Sequence, residues 1–237
     1  MHIKHYYSPR VAGADSGETM IFKLGVGQLL DEIRQSILQS TLIISRKLTT
    51  KKSGSGTTGV KALADGLNKG LATSLQSLGW GPLKAPGATR AASKLDWYKS
   101  LPTGISYGPG KTGVGMEAQF GNNFQFNADL QRLFEAMLDG SIVAGVCVVA
   151  SDELQKYKAD RGAYFTSEKQ KLDRHLAALL GSGVARIPGY VLIGIEQDGF
   201  GFGDSEVGLF QLTAPIFDPV QGVQGPPIRF ETFGVNP

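Results

Sequence analysis

Residues 113–139, "GVGMEAQFGNNFQFNADLQRLFEAMLD", and the run after them, "GSIVAGVCVVAS" at 140–151, decide the fold. From Gly113 the pattern has period two. Val114, Met116, Ala118 and Phe120 point one way while Gly115, Glu117 and Gln119 point the other, which predicts a strand. Residues 127–139 then place Leu130, Leu133, Phe134 and Met137 at i, i+3, i+4 and i+7, the spacing of a helix, and Gly140 is its stop. "SIVAGVCVVAS" is apolar over the length of a strand, as expected of one covered on both faces. An amphipathic helix over 167–180, capped by Ser167, and a second buried strand over 190–197, "YVLIGIEQ", complete the series. Strand, helix, strand, helix, strand predicts an α/β (α+β) protein whose mixed central β-sheet is flanked by helices.

Upstream, residues 27–45 place Leu30, Ile33, Ile37 and Ile44 near one helical face, and residues 59–78 do the same with Val60, Leu63, Leu67, Leu71 and Leu78. Between these two runs lies "SRKLTTKKSGSGTTG", which carries Arg46, Lys47, Lys51 and Lys52. It reads as a solvated helix end and loop, or as an arm that orders against phosphates. "KLDWY", at 94–98, is a short strand-like segment with one carboxylate, Asp96. Neither side of the Gly/Ser linker is large enough to fold alone. One domain over 1–237 is therefore expected: an N-terminal helix and mobile loop (1–58), a core (59–198), and peripheral strands and loops (199–237).

The bulk numbers exclude several classes. No apolar run approaches the ~18 residues of a membrane span, and no secretory signal opens the sequence, so a cytoplasmic protein without a membrane partner is expected. Cys147 is a lone cysteine in an apolar run, a small core residue rather than half of an intrachain disulfide. With three histidines beside it, a structural zinc site is not expected. The net charge of +3 is compatible with a polyanionic partner without requiring one.

"GISYGPGKTG", at 104–113, resembles a phosphate-binding loop, but the required G-x-x-x-x-G-K-[ST] would start at position 105, which is Ile105. The alternating residues after Thr112 also leave no helix dipole to face a phosphate. A turn between two antiparallel strands fits better.

That leaves the carboxylate and amide two residues apart on one face of the strand, Glu117 and Gln119, with Asp96 lying 21 positions upstream of Glu117. Two carboxylates from adjacent strands can supply oxygen ligands to a hard divalent cation, which activates water and steadies charge on phosphorus. Gln119 is polar but no strong base, so it would orient water or touch a phosphate. Glu117 and Gln119 simply facing solvent is the alternative that spacing leaves open.

Taken together, "KLDWY…GVGMEAQFGNNFQFNADLQRLFEAML…SIVAGVCVVAS…YVLIGIE" resembles the BglII-like type II restriction endonucleases over roughly residues 60–198. These belong to the PD-(D/E)xK nuclease superfamily, in a branch whose third active-site residue is glutamine. The resemblance implies a Mg²⁺-dependent endodeoxyribonuclease that cuts double-stranded DNA as a homodimer at a short palindromic site. It also implies a cognate DNA methyltransferase in the same system. Carried over by position, Asp96 and Glu117 become metal ligands, and Gln119 takes the place usually held by lysine. Asp129 and Asp65 are fallback carboxylates, although Asp129 reads more simply as helix N-terminal charge. Asn122 and Asn123 are candidate base contacts. Arg132, Lys156, Lys158 and Arg161 are candidate phosphate contacts, with plain surface charge as their alternative reading. A structure-selective repair or resolvase-type nuclease and an inactive DNA-binding module of the same fold are the other functions this pattern allows.

Overall fold

The computed structural model describes residues 1–10, 15–40, 43–45, 48–49, 59–60, 64–81, 95–100, 113–120, 123–153, 164–182, 189–196, 199–201, 209–213 and 229–232. The elements in chain order are β1 (His2–Tyr7), α1 (Gly17–Lys23), α2 (Gly27–Gln39), β2 (Ile43–Ser45), β3 (Leu48–Thr49), β4 (Gly59–Val60), α3 (Ala64–Ser77), β5 (Trp97–Ser100), β6 (Gly113–Gln119), α4 (Asn123–Leu138), β7 (Ala144–Ala150), α5 (Phe165–Gly181), β8 (Gly189–Glu196), β9 (Gly199–Gly201), β10 (Leu209–Thr213) and β11 (Arg229–Thr232). The central sheet has the order β1-β8-β7-β6-β5. Its middle three strands run parallel, and an antiparallel strand closes each edge, so the sheet is mixed and helix-flanked as the sequence pattern requires.

Every residue of β7 and β8 is buried, which is why both read as unbroken apolar runs. Strand alternation divides them between two cores. Val146, Val148, Val191 and Ile193 join Met116 against Ile21, Leu30, Ile33, Ile37, Leu71 and Leu75 from α1–α3. On the other face Cys147, Val149, Tyr190 and Leu192 meet Phe126, Leu130, Leu133 and Phe134 of α4 and Leu172 and Leu176 of α5. Each such side chain taken fully from water contributes about 1.5–3 kcal/mol.

Several boundaries differ from the periodic reading. The helix expected over 27–45 stops at Gln39, and Ile43–Ser45 instead pairs in parallel with β9, carrying Ile44 into a second sheet of order β11-β10-β9-β2. Val60 likewise leaves the expected helix and lies in β4, paired with β3. Ser167 does not cap α5. That helix begins at Phe165, and Asp152 from the end of β7 accepts from the Thr166 N–H at 3.1 Å and from its hydroxyl at 2.6 Å. α4 begins four residues earlier than expected and ends at Leu138, and Gly140, two residues on, has a φ of 84° that suits glycine after a helix C-terminus. β1 and α1 carry too little periodicity to be foreseen. Ser16 caps α1 by accepting from the Thr19 N–H, and β1 gains its place from its ladder to β8.

The other edge strand is tied to the helical layer. Lys99 of β5 donates to both oxygens of Glu32 in α2, at 2.8 and 2.6 Å, and to the Leu78 carbonyl at 2.8 Å. Trp80 donates its indole N–H to the same carboxylate at 2.9 Å.

Gly17 shows how tightly α1 sits on the sheet: a Cβ there would stand 2.1 Å from the Tyr190 carbonyl oxygen, a backbone atom unable to yield. Gly17→Ala is expected to destabilise by about 1–3 kcal/mol, lowering Tm by several degrees. Gly181→Ala, where the added atom meets nothing within 4 Å, should leave Tm unchanged or slightly raised. Thermal unfolding followed by circular dichroism compares the two.

Candidate active site

The site lies where parallel strands end, the usual place for ligands on such sheets. Glu117 and Gln119 stand near the C-terminal end of β6 and share one face, but neither is solvated: they are 1% and 8% exposed. The reading in which they face solvent is therefore excluded. Asp96 arrives by topology. β5 runs antiparallel to β6 with Trp97 opposite Met116, so the residue just before β5 falls beside the end of β6. Asp96 Oδ2 accepts from the Ala118 N–H at 3.1 Å. Its carboxylate stands close enough to Glu117 to hydrogen-bond when one of the two is protonated.

Two further residues complete the cluster. The early start of α4 puts Asp129 in its second turn rather than at its N-terminus, and Asp129 is buried. This corrects its reading as helix N-terminal charge. Gln119 Nε2 donates to Asp129 Oδ2 at 2.5 Å. Arg132 is not simply solvated: Nε donates to Glu117 Oε1 at 3.2 Å and Nη2 to Asp129 Oδ1, with 26% of the side chain exposed. The usable signal was spacing, since Asp129 and Arg132 each lie three positions after a neighbour on the buried flank of the stripe, Phe126 and then Asp129 itself.

Burial pushes the Glu117 carboxyl up to about 9, the charge of Asp96 adds to the rise, and Arg132 opposes it. At neutral pH the group therefore holds its proton. Glu117 Oε2 is buried and meets no donor among the described residues. Burial also raises Asp129, against the pull of Arg132 and Gln119. Among the described residues no three His, Cys, Asp or Glu side chains gather at metal-holding distances, so Asp96, Glu117 and Asp129 do not converge on one point. Behind it, sequence reasoning missed Glu168, fully buried on α5. Its Oε1 accepts from Lys171 at 3.0 Å and its Oε2 has no partner among the described residues.

The other expected contacts are less informative. Asn122, Lys156, Lys158 and Arg161 lie outside the described residues, as do Arg46, Lys47, Lys51 and Lys52. Asn123 opens α4 and Asp65 lies in α3, both with side chains outside the described set. The tip of the glycine-rich turn, 101–112, is outside it too. The strands on either side pair antiparallel, and a strand rather than a helix follows Thr112, so a phosphate-binding loop is ruled out.

A carboxylate pair at the end of a parallel strand is chemistry that a hard cation and a phosphate can use. The family described as restriction endonuclease BglII/BglIII matches residues 19–192. The chain belongs to this family. It is accordingly a type II restriction endonuclease, a site-specific deoxyribonuclease acting on double-stranded DNA. The match begins inside α1, so the likeness extends well upstream of the 60–198 span read from sequence. No curated protein matches the chain. No helix among the described residues of the endonuclease is long and apolar enough to cross a membrane.

The raised Glu117 carboxyl has a consequence for stability. The native state keeps a proton that the unfolded chain releases, so this group's contribution is fully present below the ordinary carboxylate range and is lost as pH rises toward about 9. In EDTA, Glu117→Gln should therefore unfold at a higher temperature than the wild type at pH 8.5, and the gap should close at pH 5. Equal Tm differences at both pH values would show that burial does not hold the proton there.

Proposed function

We propose that the endonuclease hydrolyses one phosphodiester in each strand of a short palindromic site, with Mg²⁺ held by Asp96 and Glu117. The observation that carries this reading is the buried Glu117 Oε2, which meets no donor among the described residues, beside a second carboxylate. A buried acid beside an exposed one, with Arg132 against the buried member, forms a ready acceptor for a hard cation that prefers oxygen. Such an ion, when bound, supplies charge against the phosphate oxygens and acidifies an attacking water.

The remaining work falls to side chains. Asp96 and Glu117 would hold the cation, with Asp96 itself anchored by the Ala118 N–H. Gln119 orients water or the scissile phosphate through its amide, and it serves as no base at any working pH. Arg132 keeps a quarter of its side chain in solvent, which supports its contact with a backbone phosphate. Asn122 and Asn123 follow soon after β6 and are proposed to read base edges, while Lys156, Lys158 and Arg161 neutralise phosphates. A palindromic target implies a two-fold homodimer. Protection of host DNA implies a partner methyltransferase, and both would operate in the cytoplasm.

Incubated with unmethylated plasmid DNA and Mg²⁺, the wild type should give discrete fragments. Asp96→Ala and Glu117→Ala should each slow cleavage by at least the ~100-fold seen for outer partners of metal sites. A smear, or a Glu117→Ala protein cutting like the wild type, would overturn the proposal.

A further inference from the structure

A carboxylate only accepts hydrogen bonds, so the end of the Gln119 amide that faces Asp129 must be its NH₂. Asp129 in turn has no freedom to change which oxygen it presents. Arg132 Nη2 engages Oδ1, which leaves Oδ2 for Gln119. Both Gln119 and Asp129 are buried, so water does not compete for these contacts. Arg132 also reaches Glu117 Oε1 through Nε, tying this chain of contacts to the carboxylate pair.

We infer that Asp129, held in register by Arg132, is a positioning residue that sets the polarity of the Gln119 amide. With the NH₂ committed to α4, the carbonyl oxygen is the edge opposite Asp129 and the one assigned to the chemistry at the end of β6. The distinction matters because a carbonyl oxygen can ligate a hard cation or accept a proton from water, whereas an NH₂ repels the first and competes with the second. This rests on the reaction proposed above and assigns Gln119 an acceptor's part in it.

Reversing the polarity tests the inference. In Asp129→Asn, Arg132 still takes Oδ1, so the new amide nitrogen faces Gln119, which must turn its own carbonyl inward to α4. In Gln119→Glu, two carboxyls oppose each other across one contact. Combining the two restores a donor facing an acceptor and leaves one carboxyl oxygen where the amide carbonyl stood. Single-turnover cleavage of unmethylated plasmid DNA in Mg²⁺ should fall about 10- to 100-fold for each single substitution, as for outer partners of metal sites. The double variant should recover to within about tenfold of wild type, a coupling that a merely packed Asp129 would not give. Thermal unfolding without metal supplies the second arm: Gln119→Glu should lower Tm when introduced into the wild type but not when introduced into Asp129→Asn.

Additive effects in both arms, or Asp129→Asn cutting at the wild-type rate, overturn the inference. Recovery of Tm without recovery of cleavage overturns the acceptor's part assigned to Gln119. A wild type that cuts no DNA in Mg²⁺ overturns the proposed reaction instead, and the unfolding arm still decides the amide's polarity.

Discussion

A carboxyl group at the end of a strand with both faces covered cannot be ionised cheaply, and Glu117 is such a group. The apolar runs of β7 and β8 require helices on both sides of the sheet, and those helices remove water from the end of β6 as well. Asp96 sharpens the conflict by bringing a second negative charge. The polar groups around them, buried Asp129 and Gln119 and the partly exposed Arg132, satisfy part of that demand and leave one oxygen without a donor among the described residues. Sites that work on charged substrates commonly carry tension of this kind, at the expense of stability.

Topology makes the conflict possible. A parallel β6–β7–β8 core places strand ends together, and the reversal of β5 delivers a residue that is distant in sequence to the same end. The long glycine-rich interval between Asp96 and Glu117 thus need not be compact, because the antiparallel ladder from Trp97–Met116 to Ser100–Gly113 fixes where it begins and ends.

How much of this could be read in the chain follows from how strongly each residue's neighbours constrain it. Period-two alternation in β6, the apolar runs of β7 and β8 and the stripe of α4 were legible because burial on a regular element imposes a repeat. Glu117, Gln119 and Asp96 could be named for their chemistry. Their burial could not, since it depends on helices contributed from both sides. Asp129 was misread because the apolar spacing from Leu130 onward marks only part of the stripe: Phe126, four residues earlier, is buried too, and α4 begins at Asn123. Ile44 was misread because an apolar residue after a helix fits a helical stripe as well as a strand, and only pairing with β9 separates the two. β1 and α1 were missed because a strand of histidines, lysine and tyrosines and a helix of two turns have little local signature; their positions come from contacts with β8.

The anchoring of β5 reaches further than its four residues suggest. Glu32 gathers Lys99 and the Trp80 indole on the far layer of the sheet, and the backbone of that same strand leads directly into Asp96. One half of the acidic pair is therefore moored from behind, through a salt bridge on a helix that lies across the sheet from α4. Loss of that mooring would strand a half-buried ammonium and an indole N–H together. Drift in α2 sequence could thus retune how firmly Asp96 is held beside Glu117 while both acids themselves stay the same.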